Sequence, residues 1–307
     1  MSITVVVPAY NAQETLHRAI LSVLAQTSPP REIIVVDDSS EDGTAACAEA
    51  FRNRGGAVRI EVVRLPANRG PAAARNVGWD LASGDHIAFL DADDSWHPQK
   101  LEIQHRWMAE HPQCVASAHQ IAYLRRQEQT RPLVTRCPCV TIPPWKLKLF
   151  SCLLWPSSLM FRTELKYRFD STKFYAEDRL LLLEIVSNGL QVVRLELPLG
   201  YRYNAPYGES GLSRDLWKTE RAELHVFRQL QEKGTLGPVE GTLLQAVSLG
   251  KYAARVCRCK CRLRRNGMQE GGRMRRLCGG SIGRLQGSWF GVKAWPNGEI
   301  QRHHPDV

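Results

Sequence analysis

Three apolar, largely β-branched runs, ITVVV at 3–7, EIIVV at 32–36 and HIAFL at 86–90, constrain this chain more than any other feature. A run without polar alternation has no face to offer water, so each reads as a strand buried on both sides, the kind found in parallel sheets covered by helices. The segments between them fit that arrangement. Leu16, Ile20, Val23 and Leu24 recur at helical spacing, with Asn11 and Glu14 forming a capping-box-like start and Pro29-Pro30 an end. A second helix is expected over about 42–54, a strand over 58–64, and a helix over 72–82 after the turn Asn68-Arg69-Gly70-Pro71. Pro98 opens a further helix with Leu101, His105 and Met108 on one face. Residues 1–110 therefore alternate strand and helix four times, which predicts an α/β fold with a mostly parallel central sheet flanked by helices.

The pattern is looser beyond residue 110. Strands are expected at 115–123, 158–162, 191–195 and 199–203. Helices are expected at 143–154, 177–187 (closed by Gly189), 216–231 and 242–258. The stretch after Arg262 is rich in Gly and Arg and carries no periodic pattern.

Charge divides the chain in the same place. Residues 251–307 hold 13 Lys and Arg against 3 Asp and Glu, which accounts for the whole net charge of +10. A neutral body with a basic tail points to an anionic partner surface, lipid head groups or nucleic acid, or else to a solvated tail. No nucleic-acid-binding motif accompanies the charge, so nucleic acid is the weaker of the two partners. No apolar run reaches the ~20 residues that span a bilayer. The opening MSITVVVPAY has no basic segment before its apolar run, so it does not read as a secretory signal, and a cytoplasmic location is expected. Cys47, Cys114 and Cys152 sit in apolar surroundings and read as buried thiols. Cys257, Cys259, Cys261 and Cys278 form a denser group whose spacing matches no standard zinc pattern.

In an open parallel sheet, ligands bind outside the carboxyl ends of the strands, and there the polar clusters of this chain fall: Pro8-Ala9-Tyr10-Asn11, Asp37-Asp38 and Asp91-Ala92-Asp93-Asp94. No GxGxxG follows the first strand and no GxxxxGK[ST] occurs, so a dinucleotide site and a P-loop are unsupported. Three carboxylates within four residues repel one another, and a divalent cation with oxygen ligands, Mg2+ or Mn2+, offsets that repulsion while taking its remaining ligands from water and a substrate diphosphate. The alternative is a solvated acidic turn. Asp37-Asp38 suits either a ligand contact or a turn and helix-cap role. Glu177-Asp178 opens a helix, where the dipole favours a carboxylate whether or not it has chemistry to do.

Taken in order, VVVPAYN (5–11), VVDDSSEDGT (35–44), NRGPAAARNVGW (68–79), FLDADD (89–94) and AED (176–178) resemble the family 2 glycosyltransferases of the GT-A fold, over roughly residues 1–215. The resemblance implies an inverting, metal-dependent transfer from a nucleotide-diphosphate sugar, most often a UDP-sugar, to a hydroxyl of a glycan or lipid-linked acceptor in surface polysaccharide biosynthesis. Residues 1–110 would form the nucleotide-binding half and 111–215 the acceptor half, followed by a helical region at 216–262 and the basic tail at 263–307. Pro8 and Tyr10 would line the base pocket, Asp38 would contact the base with Asp37 beside it, and Arg75 would reach the nucleotide. Asp91 would face the ribose or the metal, Asp93 would be the main ligand of Mg2+ or Mn2+, and Asp178 would be the general base. Asp94, Glu177 and Arg202 would contact donor phosphates or acceptor. The segment Tyr201-Arg202-Tyr203-Asn204 with Ser213-Arg214 is similar to the family's YRxH…S segment, but Asn204 stands in place of its histidine and the insert PYGESGL is long, which weakens the implied phosphate contacts from that loop. No QxxRW-like segment of the processive synthases is present. Trp145 and Trp155 fall where the family builds its acceptor pocket. The basic tail would hold such an enzyme at the periphery of the inner membrane, at about 1 kcal/mol per cationic residue near an anionic surface. The rival reading is a non-catalytic scaffold of the same fold with a membrane- or RNA-contacting tail.

Overall fold

A computed structural model describes residues 2–123, 139–149, 154–203 and 215–271, with side chains described through Arg258. Residues 1–260 form one compact unit, to which the following refers. Its elements in chain order are β1 (Ile3–Ala9), α1 (Leu16–Leu24), β2 (Glu32–Asp37), α2 (Thr44–Glu49), β3 (Arg59–Arg64), α3 (Pro71–Leu81), β4 (His86–Phe89), β5 (Ser95–Trp96), α4 (Lys100–Glu110), β6 (Cys114–Tyr123), β7 (Cys139–Thr141), α5 (Pro144–Leu149), a 3-10 turn (Pro156–Ser158), β8 (Met160–Arg162), α6 (Glu177–Ser187), β9 (Gln191–Arg202), α7 (Leu216–Glu232) and α8 (Pro238–Gly271).

The sheet runs β3-β2-β1-β4-β8-β6-β9-β5, with β7 on β9. Its first four strands are parallel, with Val5 opposite Ile33 and Ala88 opposite Val5. β8 then runs antiparallel between β4 and β6, which makes the sheet mixed. The strand order reverses between β1 and β4, so the crevice outside their carboxyl ends is the topological switch point where such folds take ligands.

The three apolar runs are β1, β2 and β4, and their alternate side chains feed two cores. Val6, Ile34, Val36, Ile87 and Phe89 pack beneath α3 and α6, and Val5, Val7, Ile33, Val35 and Ala88 pack with α1 and α4. Trp79 of α3 anchors the first core, its ring 5.4 Å from Phe89 and 5.1 Å from Phe161. Gly78 lets α3 lie against β1, since a Cβ there would sit 2.4 Å from Val6.

Several local expectations are corrected. Asn11 does not cap α1. Its backbone is left-handed at φ 46°, its N–H donates to Ser40 Oγ at 2.9 Å, and its Oδ1 accepts from the Glu41 amide at 3.0 Å. It stitches the end of β1 to the end of β2, and α1 begins only after Thr15. The helix expected over 42–54 shortens to α2, because Asp42 turns its carboxylate onto the Thr44 amide at 2.9 Å. The strands expected at 191–195 and 199–203 are one strand, β9, whose pairing with β6 shifts register near His119 and Gln120. Cys114 is buried as expected, Cys47 only partly so, and Cys152 lies outside the described residues.

Candidate functional site

The carboxyl end of β2 supplies Asp37 and Asp38, both buried. Asp37 Oδ1 accepts from the Ser40 amide at 3.1 Å, closing the turn, and its other oxygen lies 3.4 Å from Arg64. Asp38 accepts from the Arg69 amide at 2.8 Å and the Gly70 amide at 2.7 Å. Burial raises the Asp38 carboxyl above its ordinary range, against the pull of those two amides. Asp38 therefore shapes the turn that launches α3, and a ligand at its oxygens would share them with backbone. Gly70 has φ 85° and its Cα faces the Phe174 ring, which a Cβ would meet at 2.9 Å, so glycine is required on both counts. Pro8 is buried in β1, while Tyr10 just beyond it is exposed at the crevice.

Arg75, on the second turn of α3, is almost wholly buried. Its Nη2 donates to Asp91 Oδ1 and its Nη1 to Glu177 Oε1, each at 2.7 Å. Burial works against this guanidinium, but the two carboxylates more than offset that and raise its pKa. The expected nucleotide contact is thus occupied by an ion-pair bridge that joins the end of β4 to the start of α6.

The loop after β4 is held from several sides. Ser157, in the 3-10 turn, accepts from the Asp91 amide at 3.1 Å and donates to Asp94 Oδ2 at 2.6 Å. Asp94 is buried, and burial together with the charge of Asp93 holds its carboxyl well above the usual range. Arg202, at the end of β9, places Nε 3.5 Å from Asp94 Oδ1 and stacks on Trp155 at 4.5 Å. Burial opposes the Arg202 charge, yet the charges of Asp94, Asp91 and Asp93 together raise its pKa. Arg18 of α1 donates to the Asp93 carbonyl at 2.6 Å and covers the Tyr203 ring at 3.7 Å, and Tyr203 pairs with Ser95 at 2.8 Å. Trp145 is exposed, away from any contact of this set.

Asp178 follows Glu177 in the first turn of α6, after Ala176, which is left-handed at φ 58°. Its carboxyl is pushed up to about 7, first by burial and then by the Glu177 charge, with Arg75 pulling the other way and Asp91 adding to the rise. Asp178 and Arg202 thus both sense Asp91. Asp91, Asp93, Asp94, Arg75, Glu177, Asp178 and Arg202 form one connected group at the switch point, and the turn at 69–70 ties Asp38 to it through α3.

Among the described residues, no three His, Cys, Asp or Glu side chains converge on a point that could hold a metal ion by themselves. A donor set of carboxylate oxygens suits Mg2+ or Mn2+, which commonly take one or two protein carboxylates and complete their shells with substrate phosphates and water. Asp93, on the loop that follows β4 at the switch point, is a carboxylate of the type such an ion takes. Cys257 is exposed; Cys259, Cys261 and Cys278, like Asn204, Ser213 and Arg214, lie outside the residues whose side chains are described.

The family model for glycosyl transferase family 2 matches residues 4–174, more than half of the 307. The chain belongs to glycosyl transferase family 2. The relatives reported below are named as glycosyltransferases. It is 42% identical over 108 residues to the putative teichuronic acid biosynthesis glycosyltransferase TuaG of Bacillus subtilis, a match over 35% of this chain and 42% of that one. It is 40% identical over 102 residues to the Escherichia coli UDP-Glc:alpha-D-GlcNAc-diphosphoundecaprenol beta-1,3-glucosyltransferase WfgD, over 33% of this chain and 39% of that one. The matches thus span less than half of each relative. Among solved structures, the Pyrobaculum calidifontis mannosyltransferase PcManGT, in complex with GDP-Man and Mn2+, superposes with a TM-score of 0.61 at 17% identity, covering 85% of this chain and 75% of that one. The fold is that of the GT-A glycosyltransferases, and the family's relatives include enzymes of polysaccharide biosynthesis.

The sequence motifs supplied Asp38, Arg75, Asp91, Asp93, Asp94, Glu177, Asp178 and Arg202. With Tyr203 of the 201–204 segment, two residues the motifs missed, Ser157 and Arg18, fix the loop that carries Asp93. No local pattern marks them, since Ser157 lies 63 residues from the carboxylate it binds.

Proposed function

We propose that this protein transfers a single sugar, with inversion, from a nucleoside-diphosphate donor to a hydroxyl of a lipid-linked or glycan acceptor. The observation that carries the reading is Asp178, a carboxyl at the switch point whose pKa is pushed up to about 7 and which sits one residue from the Arg75-held Glu177. A base poised near neutral pH is what proton removal from an acceptor hydroxyl requires, and carboxyls raised in this way cluster at functional sites. Arg75 and Glu177 orient the helix that presents Asp178. Ser157 and Arg18 hold the loop that presents Asp93, and Arg202 adds positive charge where a diphosphate would lie. Asp93 would hold Mg2+ or Mn2+, which supplies positive charge to the departing diphosphate. Tyr10 would offer its ring to the nucleotide base, with Pro8 and Asp37 shaping the pocket behind it.

A UDP-sugar donor and a lipid-linked acceptor are supported by the 40% identity to WfgD, whose name states both. The metal is supported by the Mn2+ bound with GDP-Man in PcManGT. An acceptor of that kind places the reaction at a membrane surface, and the basic region 251–307 would hold the enzyme there.

The test is a thermal-shift panel of UDP, GDP, CDP and ADP, each with and without Mn2+. One diphosphate is expected to raise Tm, more so with Mn2+, and to lose the Mn2+ increment in Asp93→Ala. A panel in which no nucleotide shifts Tm would overturn the reading.

A further inference from the structure

The hairpin of α7 and α8 carries two helices of opposite outward chemistry. The exposed positions of α7 include Lys218, Arg221, His225, Arg228 and Glu232, an ordinary solvated face. The exposed face of α8 carries an apolar stripe, flanked by exposed Glu240, Thr242 and Arg258. Val239, Leu243, Val247, Gly250 and Ala254 recur at helical spacing, with Ala246, Ala253 and Cys257 beside them, and Val239 and Leu243 are 73% and 62% exposed. No Asp, Glu, Lys or Arg falls within this stripe.

The inward side of α8 sets polar side chains around Leu244, which joins the core. Ser248 is buried and donates to Glu223 Oε2 at 3.0 Å, and Arg255 pairs with buried Glu220. Glu223 in turn pairs with Arg179 of α6 at 2.6 Å. The helix is thus attached to the body through Leu244 and through these ion pairs and hydrogen bonds, while Val239, Leu243 and Val247 point away. Water is a poor medium for that outer face. The helix does not cross a bilayer either, for no helix among the described residues is long and apolar enough.

We infer that the outer face of α8 is a docking surface for an anionic lipid bilayer, lying in the interface with Leu243 and Val247 inserted. Charge complementarity selects this occupant. The stripe runs straight into the segment 251–307 that holds the excess of ten positive charges. An anionic head-group layer would neutralise that charge, which a second copy carrying the same charge would not. The docking stands on the α8 stripe and the charge that follows it in sequence, and is read separately from sugar transfer.

The test is flotation of the full chain with vesicles of phosphatidylcholine alone and of an equal mixture of phosphatidylcholine and phosphatidylglycerol. Wild-type protein is expected to float with the mixed vesicles, and less so as salt rises. Leu243→Ser with Val247→Ser leaves the charge unchanged and replaces only exposed residues. It is expected to weaken partitioning on the order of tenfold or more, with Tm and donor turnover unchanged. Equal flotation of variant and wild type, or no flotation of wild type, would overturn the inference. So would a vesicle-free wild type that is dimeric while the serine variant is monomeric, since a second copy would then cover the face.

Discussion

Arg75 Nη1 lies 2.7 Å from Glu177 Oε1, a bond that joins residues 102 positions apart and seats the first turn of α6 on α3. The same guanidinium holds Asp91. One buried cation thereby sets the relative position of the loop that offers Asp93 and the helix that offers Asp178.

Removing that cation leaves two carboxylates facing each other without a partner. Arg75→Met is expected to destabilise the protein by about 3–5 kcal/mol, the usual result of breaking a buried ion pair from one side. Arg75→Lys is expected to recover only part of it, because an ammonium lacks the fork that reaches both partners. Urea denaturation monitored by tryptophan fluorescence measures both.

The base gives a pH dependence with a definite sign. As the proposed base, Asp178 would act only when deprotonated, so kcat/KM is expected to rise with pH and level off above about 7. In Glu177→Gln the neighbouring charge is gone and Arg75 still attracts, so the acid limb is expected to move to lower pH. A pH–rate profile of the two proteins shows the shift or its absence.

Stability should move the other way. The folded protein keeps the Asp178 proton up to about pH 7 and the unfolded chain only to about 3.8, so stability falls as pH rises through that window. Asp178→Asn does not ionise. Its Tm relative to wild type is expected to climb between about pH 4 and pH 7 and then hold level, as followed by differential scanning calorimetry.

Ser157 is the hydroxyl that holds the loop after β4 at two points. Ser157→Ala leaves Asp94 buried without its donor and is expected to cost about 1–3 kcal/mol. Because the loop carries Asp93, the variant is also expected to need more Mn2+ for half-maximal turnover, which a metal titration measures.

Lys100 is fully buried with its Nζ 3.6 Å over the Trp96 ring and no hydrogen-bond partner, and burial alone holds its pKa well below the usual lysine value. The folded state therefore disfavours its charged form, which the unfolded chain keeps at neutral pH. Lys100→Met is expected to raise Tm by about 2 °C or more at pH 7, with a smaller gain as pH rises toward the ordinary lysine pKa. A thermal melt at two pH values tests both.

The half of the fold around the switch-point crevice was legible because β1, β2 and β4 are buried on both faces, and burial on both faces leaves an unbroken apolar run that needs no alignment to see. The ends of those runs located Asp38, Asp91, Asp93 and Asp94 for the same reason. Three things were not legible. Asn11 has the composition of a cap and serves as a stitch between strand ends, a choice made by Ser40 and Glu41 some 30 residues away. β9 looked like two strands because Pro198 and the register shift interrupt its alternation. α8 reads as an ordinary amphipathic helix, and only the partners of Ser248 and Arg255 reveal which of its faces is inside. Arg75 showed the opposite limit. Its position was readable, but its two carboxylate partners come from elements that meet only in the folded chain.

The most direct test is release of nucleoside diphosphate from a set of UDP- and GDP-sugars by wild type and Asp178→Asn, in Mn2+ and in excess chelator. One donor is expected to be turned over in Mn2+ and to stop in chelator. Asp178→Asn is expected to bind the same nucleotide and lose at least about 10²-fold in transfer. Wild-type rates in the asparagine variant, or release that ignores the chelator, would contradict the account.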